Sequence, residues 1–446
     1  MNQALLYFSI LFIIAQLSLV LIPYIRQKRD LISAWSLLTV GSACFVGASG
    51  INAARSPYGY TDYVTADYIW FFAGVVVFFS CLHLTYFFVK WPERLAVKRF
   101  AKWPPVTPAV LLFIMPIGII MSFGLLAPIQ IQGIGQIMVI VGKNGVIIAS
   151  IAAFIFWYRQ PSNPIGLVLM LVIFLYSFGF SMLSGSGRRD MVAVLAVIPI
   201  ALYWYRFRYT NPKKTALVIS SILVLGILVI NGYSNQRHAL QRSGDKSAGE
   251  VLRTVIEMPR YMLNVEDVAA LLGQNAVEVS LLAINVYHTE QWDGFEREPF
   301  HAAKFIALNP IPRAFWRDKP SGLGKTLPIM TKLRGGRETW GPGIVGHGFH
   351  EGGLHILVVY GIAVGLLLRL FDSLLTLYPG NPYLLAILCA NSGQLIGWSR
   401  GDIGTFSVQI IGGVIAVWLL TRIVRFFCGT EFMPAGQQYA AQPSVP

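Results

Sequence analysis

Long apolar runs separated by short polar segments dominate the chain. Eleven runs are predicted to be membrane-spanning helices: 4–25, 31–51, 69–89, 106–127, 144–158, 165–184, 190–205, 215–232, 352–370, 382–398 and 403–420. A helix of about 20 apolar residues crosses a hydrocarbon core of about 30 Å, and it satisfies its own backbone hydrogen bonds there. No run of about ten residues alternates in polarity as a transmembrane strand would. The pattern predicts an all-α, polytopic transmembrane protein.

The composition agrees with that class. Hydrophobic residues make up 55% of the chain and charged residues 13%, about half the charged share of a soluble globular protein. The net charge of +14 does not indicate nucleic acid as a partner, because most of the excess lies in short loops between spans. No basic groove with interleaved stacking aromatic residues is present.

The basic residues also predict the orientation in the membrane. Short loops on one side carry sixteen Lys and Arg residues, and those on the other side carry five. The positive-inside rule places the richer side in the cytoplasm. The protein is therefore predicted to lie in the bacterial inner membrane, with its N-terminus in the periplasm and its C-terminus in the cytoplasm.

This orientation divides the chain into four parts. A membrane domain of about eight spans covers 1–232, and a large periplasmic loop covers 233–350. A second membrane domain of about three spans covers 351–425, and a cytoplasmic tail covers 426–446. The loop holds fourteen Lys and Arg residues against twelve Asp and Glu, and a helical run at 265–288 predicts that it is partly helical.

Candidate chemistry lies at the predicted outer face, because the spans contain almost no ionisable groups. Arg188, Arg189 and Arg400 fall in outer loops, and Arg237 lies where the large loop leaves the membrane. The planar guanidinium group suits a diphosphate, which it can bind through two parallel hydrogen bonds. The alternative is that these side chains only extend to the membrane interface.

A glycine-rich His-x-x-His-Glu group follows where the loop returns to the membrane. His347, His350 and Glu351 compose it. A general base is a stronger interpretation than a metal site, since a metal needs ligands on one helical face or a constrained loop. Glu351 has the alternative role of favouring a helix N-terminus. The four cysteines show no C-x-x-C pair or zinc spacing, and no metal or other cofactor is predicted.

One segment of the large loop resembles a known family. Residues 309–320 read Asn-Pro-Ile-Pro-Arg-Ala-Phe-Trp-Arg-Asp-Lys-Pro. This segment resembles the I-P-R-x-x-W-x-x-K-P segment in the main periplasmic loop of the Wzy-type polymerases, which join oligosaccharide repeat units into O-antigen or capsule polysaccharide. The Gly-Ser-x-Arg sequence at 185–188 and the plan of about eleven spans with one late large loop are also similar to that family.

The resemblance implies a glycosyltransferase that uses undecaprenyl-diphosphate-linked oligosaccharide, with membrane lipid and a chain-length regulator as further partners. The glycan would pass from polyprenyl diphosphate to an incoming lipid-linked repeat unit. The expected catalytic residues are Arg313, Lys319, His350 and Glu351. The expected substrate-binding residues are Arg188, Arg189, Arg237, Arg317, Arg400 and Trp316. No P-loop or D-x-D motif indicates a nucleotide or a metal–carboxylate site.

Two alternatives remain open at this point. An O-antigen ligase-like enzyme would use the same donor with a lipid A core as acceptor. A non-enzymatic flippase or transporter for lipid-linked glycan would keep polar residues within its spans and show repeated halves, and the sequence shows neither.

The charge asymmetry makes a direct prediction about topology. A reporter that is active only in the periplasm should be active when fused after Ser243 or Lys332 and silent when fused after Lys214. The measurement is reporter activity normalised to fusion level. Activity at Lys214 would invert the orientation and remove every outer-face site named above.

Overall fold

The computed structural model describes residues 2–55, 61–99, 103–104, 106–123, 134–183, 188–243, 249, 253, 256–263, 276–288, 296–309, 311, 315–316, 319–333 and 339–429. Within these ranges every regular element is a helix. The prediction of an all-α fold is confirmed for this part of the chain.

The helices are numbered here in chain order. They are α1 (Asn2–Ile25), α2 (Ala34–Arg55, π-helical at Ala43–Ala48), α3 (Thr65–Phe88), α4 (Trp91–Arg99), α5 (Pro108–Phe123), α6 (Ile134–Arg159), α7 (Pro164–Leu183), α8 (Arg188–Tyr205), α9 (Pro212–Ser243), α10 (Pro259–Met262), α11 (Ala276–His288), α12 (His301–Leu308), α13 (Leu323–Thr331), α14 (Gly343–Glu351), α15 (Leu354–Leu377), α16 (Pro382–Gly397) and α17 (Ile403–Cys428).

Among the described residues, eight helices are long and apolar enough to cross a membrane. These candidate spans are Asn2–Ile25, Ala34–Arg55, Thr65–Phe88, Ile140–Arg159, Pro164–Met182, Pro212–Ser234, Leu354–Leu377 and Ile403–Cys428. Each coincides with one of the eleven predicted spans. The other three predicted spans fall on α5, α8 and α16, which have 16, 18 and 16 residues, and their crossing of the membrane stays a prediction.

Four helices continue past their predicted ends by four residues or more: α2 ends at Arg55 instead of residue 51, and α9 ends at Ser243 instead of residue 232. The helix α15 ends at Leu377 instead of residue 370, and α17 ends at Cys428 instead of residue 420. Long basic side chains near a helix end can reach polar surroundings while the backbone stays helical, so a first charge does not mark the end of a helix. The predicted tail at 426–446 therefore begins inside α17, and residues 430–446 lie outside the described residues.

Contacts group the chain into two units that do not follow its linear order. The first unit comprises 1–89, 264–369 and 394–410, and the second comprises 90–263, 370–393 and 411–446. The first unit thus combines the N-terminal helices with most of the predicted large loop.

A buried polar network joins three helices of the first unit. The indole Nε1 of Trp35 on α2 donates to Nδ1 of His83 on α3 at 3.1 Å. The other ring nitrogen of His83 lies 3.0 Å from Oε1 of Gln16 on α1. Since Nδ1 accepts, Nε2 carries the proton and donates to Gln16, so His83 is neutral. Such bonds join helices where lipid offers no other partner, which gives His83 a structural role.

The helix α11 is enclosed by the first unit although it belongs to the predicted loop. Residues 276–286 are all buried, as expected for a helix that is apolar on nearly every face. Its polar groups find distant partners. The Nδ2 of Asn285 donates to Oδ2 of Asp67 on α3 at 2.8 Å, and the amide of Val277 donates to Oγ of Ser49 on α2 at 3.1 Å.

The glycine-rich segment of α14 lets this helix pack closely against α11. A Cβ added at Gly346 would lie 2.9 Å from Cβ of Pro342 and 3.0 Å from Cβ of Ala283 on α11. These separations are shorter than van der Waals contact, so a side chain at 346 would push the two helices apart. Gly352 follows α14 at φ +144°, a conformation that glycine adopts without a Cβ clash, and the chain turns there towards α15.

The second unit also brings helices together through small and polar residues. On α5 and α6, a Cβ built at Gly145 would lie 2.5 Å from the carbonyl oxygen of Gly118. The hydroxyl groups of Ser150 on α6 and Ser177 on α7 are 2.7 Å apart. Small residues allow close backbone approach in membrane helices, and hydroxyl groups bond across the interface.

The contact between α11 and α14 predicts the effect of one added methyl group. Gly346→Ala should lower the unfolding temperature of the purified protein in detergent, because overpacking costs about 1–3 kcal/mol. Gly226→Ala on α9 is the matched control, since a Cβ there would meet nothing within 4 Å and alanine favours a helix. Equal unfolding temperatures for Gly346→Ala and the wild type would contradict the close packing.

Candidate functional site

Asp402 stabilises the starts of two helices in the first unit. It directly precedes α17, and its Oδ1 accepts the amide of Thr405 at 2.9 Å. Its Oδ2 accepts the amide of Gly324, the second residue of α13, at 2.7 Å. Both amides lack partners within their own helices. Burial alone would raise the pKa of the Asp402 carboxyl, but His347 and these two amides outweigh it and hold the pKa below its usual value.

Glu351 likewise stabilises the start of α12. It ends α14 and is buried, and its Oε1 accepts the amide of Ala302, the second residue of α12, at 3.1 Å. The same oxygen lies 3.4 Å from Nδ1 of His347, and Oε2 accepts the hydroxyl group of Tyr360. The carboxylate therefore faces three donors inside the protein.

His347 lies between these two carboxylates and is fully buried. Its Nε2 accepts the amide of Ile403 at 3.2 Å, so the proton of a neutral ring lies on Nδ1 and points to Glu351. Asp402 Oδ2 is 3.8 Å from the same Nε2. The amides of Gly324 and Thr405 are closer to the Asp402 carboxylate, at 2.7 and 2.9 Å, and donate hydrogen bonds to it directly.

Glu298, His301 and His350 form a second polar group beside the first. Oε2 of Glu298 is 2.5 Å from Nδ1 of His301, and Nε2 of His301 is 3.0 Å from the carbonyl oxygen of Ser321. Nδ1 of His350 is hydrogen-bonded to the hydroxyl group of Tyr287. The rings of His301 and His350 have centroids 5.0 Å apart.

Charge and burial set the protonation of this second group. The hydrogen bond with His301 lowers the pKa of Glu298. Burial, followed by the neighbouring His301 and His347, lowers the pKa of His350 to about 4, so that ring is neutral at pH 7. A neutral imidazole can accept a proton or bind a metal ion. A base with a pKa of about 4 is weak, however, since an effective catalytic base titrates near the working pH.

Lys319, predicted to be catalytic, is buried. Its Nζ donates to the carbonyl oxygens of Asn309 at 2.6 Å and Ile311 at 3.0 Å. Asn309 directly follows α12, so the ammonium group binds carbonyls at the end of a helix, where positive charge is favourable. Lys319 thereby joins the two ends of the 309–319 segment.

The aromatic residues of the same segment are exposed. Phe315 is 84% exposed and Trp316 is 39% exposed, so both present ring surface to the outside of the first unit. Arg313 and Arg317, predicted for catalysis and substrate binding, lie outside the described residues.

The other predicted arginines are divided between the two units, with Arg188, Arg189 and Arg237 in the second and Arg400 in the first. Arg188 and Arg189 are half-buried and begin α8 in the second unit. The next residue, Asp190, pairs with Lys143 of α6 at 2.6 Å. Arg400 belongs to the first unit, with its guanidinium carbon 4.9 Å from the centre of the Phe45 ring. Arg237 lies on α9.

Sequence patterns missed the partners of His350. Glu298 and His301 form a Glu-x-x-His pair, and this spacing could have indicated that the two side chains lie close together. Their approach to His350 depends on a backbone bond from the Glu298 amide to the His350 carbonyl oxygen at 3.2 Å. No local pattern connects two residues so far apart in the chain.

Comparisons with known proteins give no match: no protein-family model, no curated protein and no solved structure matches this chain.

The double role of Asp402 makes a prediction about stability. Asp402→Ala should cost about 2 kcal/mol, because each lost cap costs about 1 kcal/mol, while Asp402→Asn should lose less because its amide oxygen still accepts one bond. Native-state proteolysis of purified protein measures this as faster cleavage. Arg253→Ala is the control, since that side chain is 71% exposed and its ion pair with Glu257 contributes little. Wild-type cleavage of Asp402→Ala would contradict the capping role.

Proposed function

We propose that this protein polymerises lipid-linked oligosaccharide repeat units at the periplasmic face of the bacterial inner membrane. The observation that carries the proposal is the location of the first unit's polar groups. Glu351 lies three residues before the candidate span α15, and Asp402 directly precedes the candidate span α17. A substrate whose diphosphate lies at the membrane surface and whose sugars extend outward would meet reacting groups at this level.

The proposed reaction is a single glycosyl transfer. A hydroxyl group on the terminal sugar of the incoming unit attacks the anomeric carbon of the donor glycan. The new carbon–oxygen bond replaces the bond to the polyprenyl diphosphate, which leaves as an anion, and the hydroxyl proton passes to a base. The greatest demand is stabilisation of the charge that develops on the diphosphate, a task for prepositioned cationic donors.

Arginine residues are proposed to supply that charge, and each unit is considered by itself. Arg188 and Arg189 stand at the N-terminus of α8, where the helix dipole adds partial positive charge. Arg400 stands beside Asp402, and Arg313 and Arg317 belong to the segment that resembles the polymerases. Trp316 offers an exposed ring on which a sugar can stack.

The general base is the part of the proposal with the least geometric support. His350 is buried with a lowered pKa, and Glu351 already accepts three hydrogen bonds. The burial of His350 and the hydrogen bonds of Glu351 favour positioning roles, in which these residues hold α12 against α14. The assignment of either one to proton transfer stays a prediction.

Two other functions predict different products. A ligase-like enzyme would leave full-length lipid-linked polymer unattached when it is removed, and a flippase would leave lipid-linked units on the cytoplasmic side. Buried polar residues of the described spans, such as His83 and Gln16, bond to one another, which favours an enzyme over a transport path.

Deletion of the gene tests the proposal. We expect single lipid-linked repeat units to accumulate in the periplasmic leaflet while polymer disappears, measured by gel electrophoresis and mass spectrometry of extracted glycolipid. Restoring the wild-type gene should restore the polymer ladder. Intact lipid-linked polymer in the deletion strain would contradict the proposal and favour a ligase.

Variants in the deletion strain sharpen this test. Lysine keeps the charge of arginine but loses its paired donors, so Arg188→Lys or Arg189→Lys should reduce polymer by about a hundredfold at a normal protein level. The exposed Arg94 provides the control Arg94→Lys. Full polymer from both Arg188→Lys and Arg189→Lys would show that the reaction needs neither guanidinium group.

A further inference from the structure

Three side chains of the first unit have the chemistry and spacing of a metal site. One ligand atom each from Glu298, His301 and His350 lies within 4.8 Å of the others. Two imidazoles and one carboxylate are a common ligand set for zinc. We propose that these three residues bind a divalent transition-metal ion, with Zn²⁺ as the best match. This site differs from the His347–His350–Glu351 group that the sequence indicates, and it does not depend on the proposed function.

Each of the two histidines has a hydrogen-bond partner on one ring nitrogen that leaves the other nitrogen available to a metal ion. Histidine ligands usually give their second ring N–H to a carbonyl, carboxylate or other acceptor, which fixes the ring and its tautomer. Nε2 of His301 faces the carbonyl oxygen of Ser321, so the neutral ring has its lone pair on Nδ1, beside Glu298. Nδ1 of His350 faces the hydroxyl group of Tyr287, which leaves Nε2 as the coordinating nitrogen.

The backbone also prepares the site before a metal arrives. The Glu298 amide donates to the His350 carbonyl oxygen at 3.2 Å, so the two ligand-bearing segments are already joined. Glu351, next to His350, accepts the amide of Ala302, next to His301. Little chain entropy remains to be lost on binding.

Exposure provides a route for the ion. His301 and His350 are 5% and 7% exposed, whereas the side chain of Glu298 is 53% exposed. The carboxylate can therefore meet an ion at the surface of the first unit and deliver it to the buried nitrogens. Nδ1 of His301 and Oε2 of Glu298 are 2.5 Å apart, and a metal ion bound by both atoms would replace their hydrogen bond. Zinc has four ligands in most sites, so one position remains for water or a substrate oxygen.

The group around His347 does not offer a ring nitrogen to a metal ion in the same way. Nε2 of His347 accepts the amide of Ile403, and Nδ1 faces Glu351. With both nitrogens occupied and the ring fully buried, His347 has no lone pair for an ion. The metal proposal therefore rests on the Glu298 group alone.

Metal titration of the full-length protein is the test. The protein is purified in detergent without a polyhistidine tag, stripped with chelator and titrated with Zn²⁺ and, separately, with Co²⁺. We expect one tightly bound Zn²⁺ per chain by elemental analysis, a rise in unfolding temperature from binding to the folded state, and visible absorption typical of tetrahedral Co²⁺ with nitrogen and oxygen ligands. No stoichiometric binding, or a spectrum with thiolate charge-transfer bands, would overturn the proposal.

Variants assign the site to its residues. His301→Gln and His350→Gln should each weaken Zn²⁺ binding by more than about a hundredfold, since loss of an outer partner alone costs about 10–100-fold. Tyr287→Phe should fall within that smaller range. His355→Ala is the matched control, because His355 lies four residues from Glu351 with an exposed side chain. Unchanged affinity in both glutamine variants would place the metal elsewhere. If these variants do not fold, the Co²⁺ spectrum and stoichiometry of the wild type decide.

Discussion

The capping of helix starts by Glu351 and Asp402 is the interaction on which the rest of the first unit depends. A helix that begins outside lipid leaves its first amides without partners, and burying them unpaired costs about 1–3 kcal/mol each. Glu351 accepts such an amide at the start of α12, and Asp402 accepts one at α13 and one at α17. These bonds hold the start of α12 against the end of α14 and the start of α13 against the residue before α17, and His347 lies between the two carboxylates.

Much of the fold was predictable because lipid imposes a simple rule on sequence. Long apolar helices satisfy their own backbone hydrogen bonds inside it, so the eight candidate spans could be read directly from the sequence. The uncertain spans are those that begin with charge or are short, such as α8 with Arg188, Arg189 and Asp190 in its first turn. The burial of α11 was not predictable, because it requires Asp67 to meet Asn285 from 218 residues away.

The sequence predicted the residue types of the candidate site better than it predicted which groups those side chains contact. Sequence indicated that basic and histidine residues near the loop boundaries matter, and His350 and Lys319 do belong to the buried polar part of the first unit. It could not show that Lys319 binds carbonyl oxygens or that His350 meets Glu298 and His301. The chemistry of a side chain can be read from the sequence, but its partner depends on tertiary contacts. A charged group predicted to act on substrate can therefore be bound by other groups of the protein instead.

The two polar groups of the first unit join the same pair of elements in different ways. Glu351 joins α14 to α12 through the amide of Ala302, so this link needs no bound ion. The proposed metal ion would join the same helices through His350 and His301, one residue away on each side, and this link would exist only when the ion is bound. The link through Glu351 holds the two histidines near each other, because Glu351 is adjacent to His350 and Ala302 is adjacent to His301. The cap therefore prepares the metal site, and bound metal would in turn hold the start of α12 against fraying.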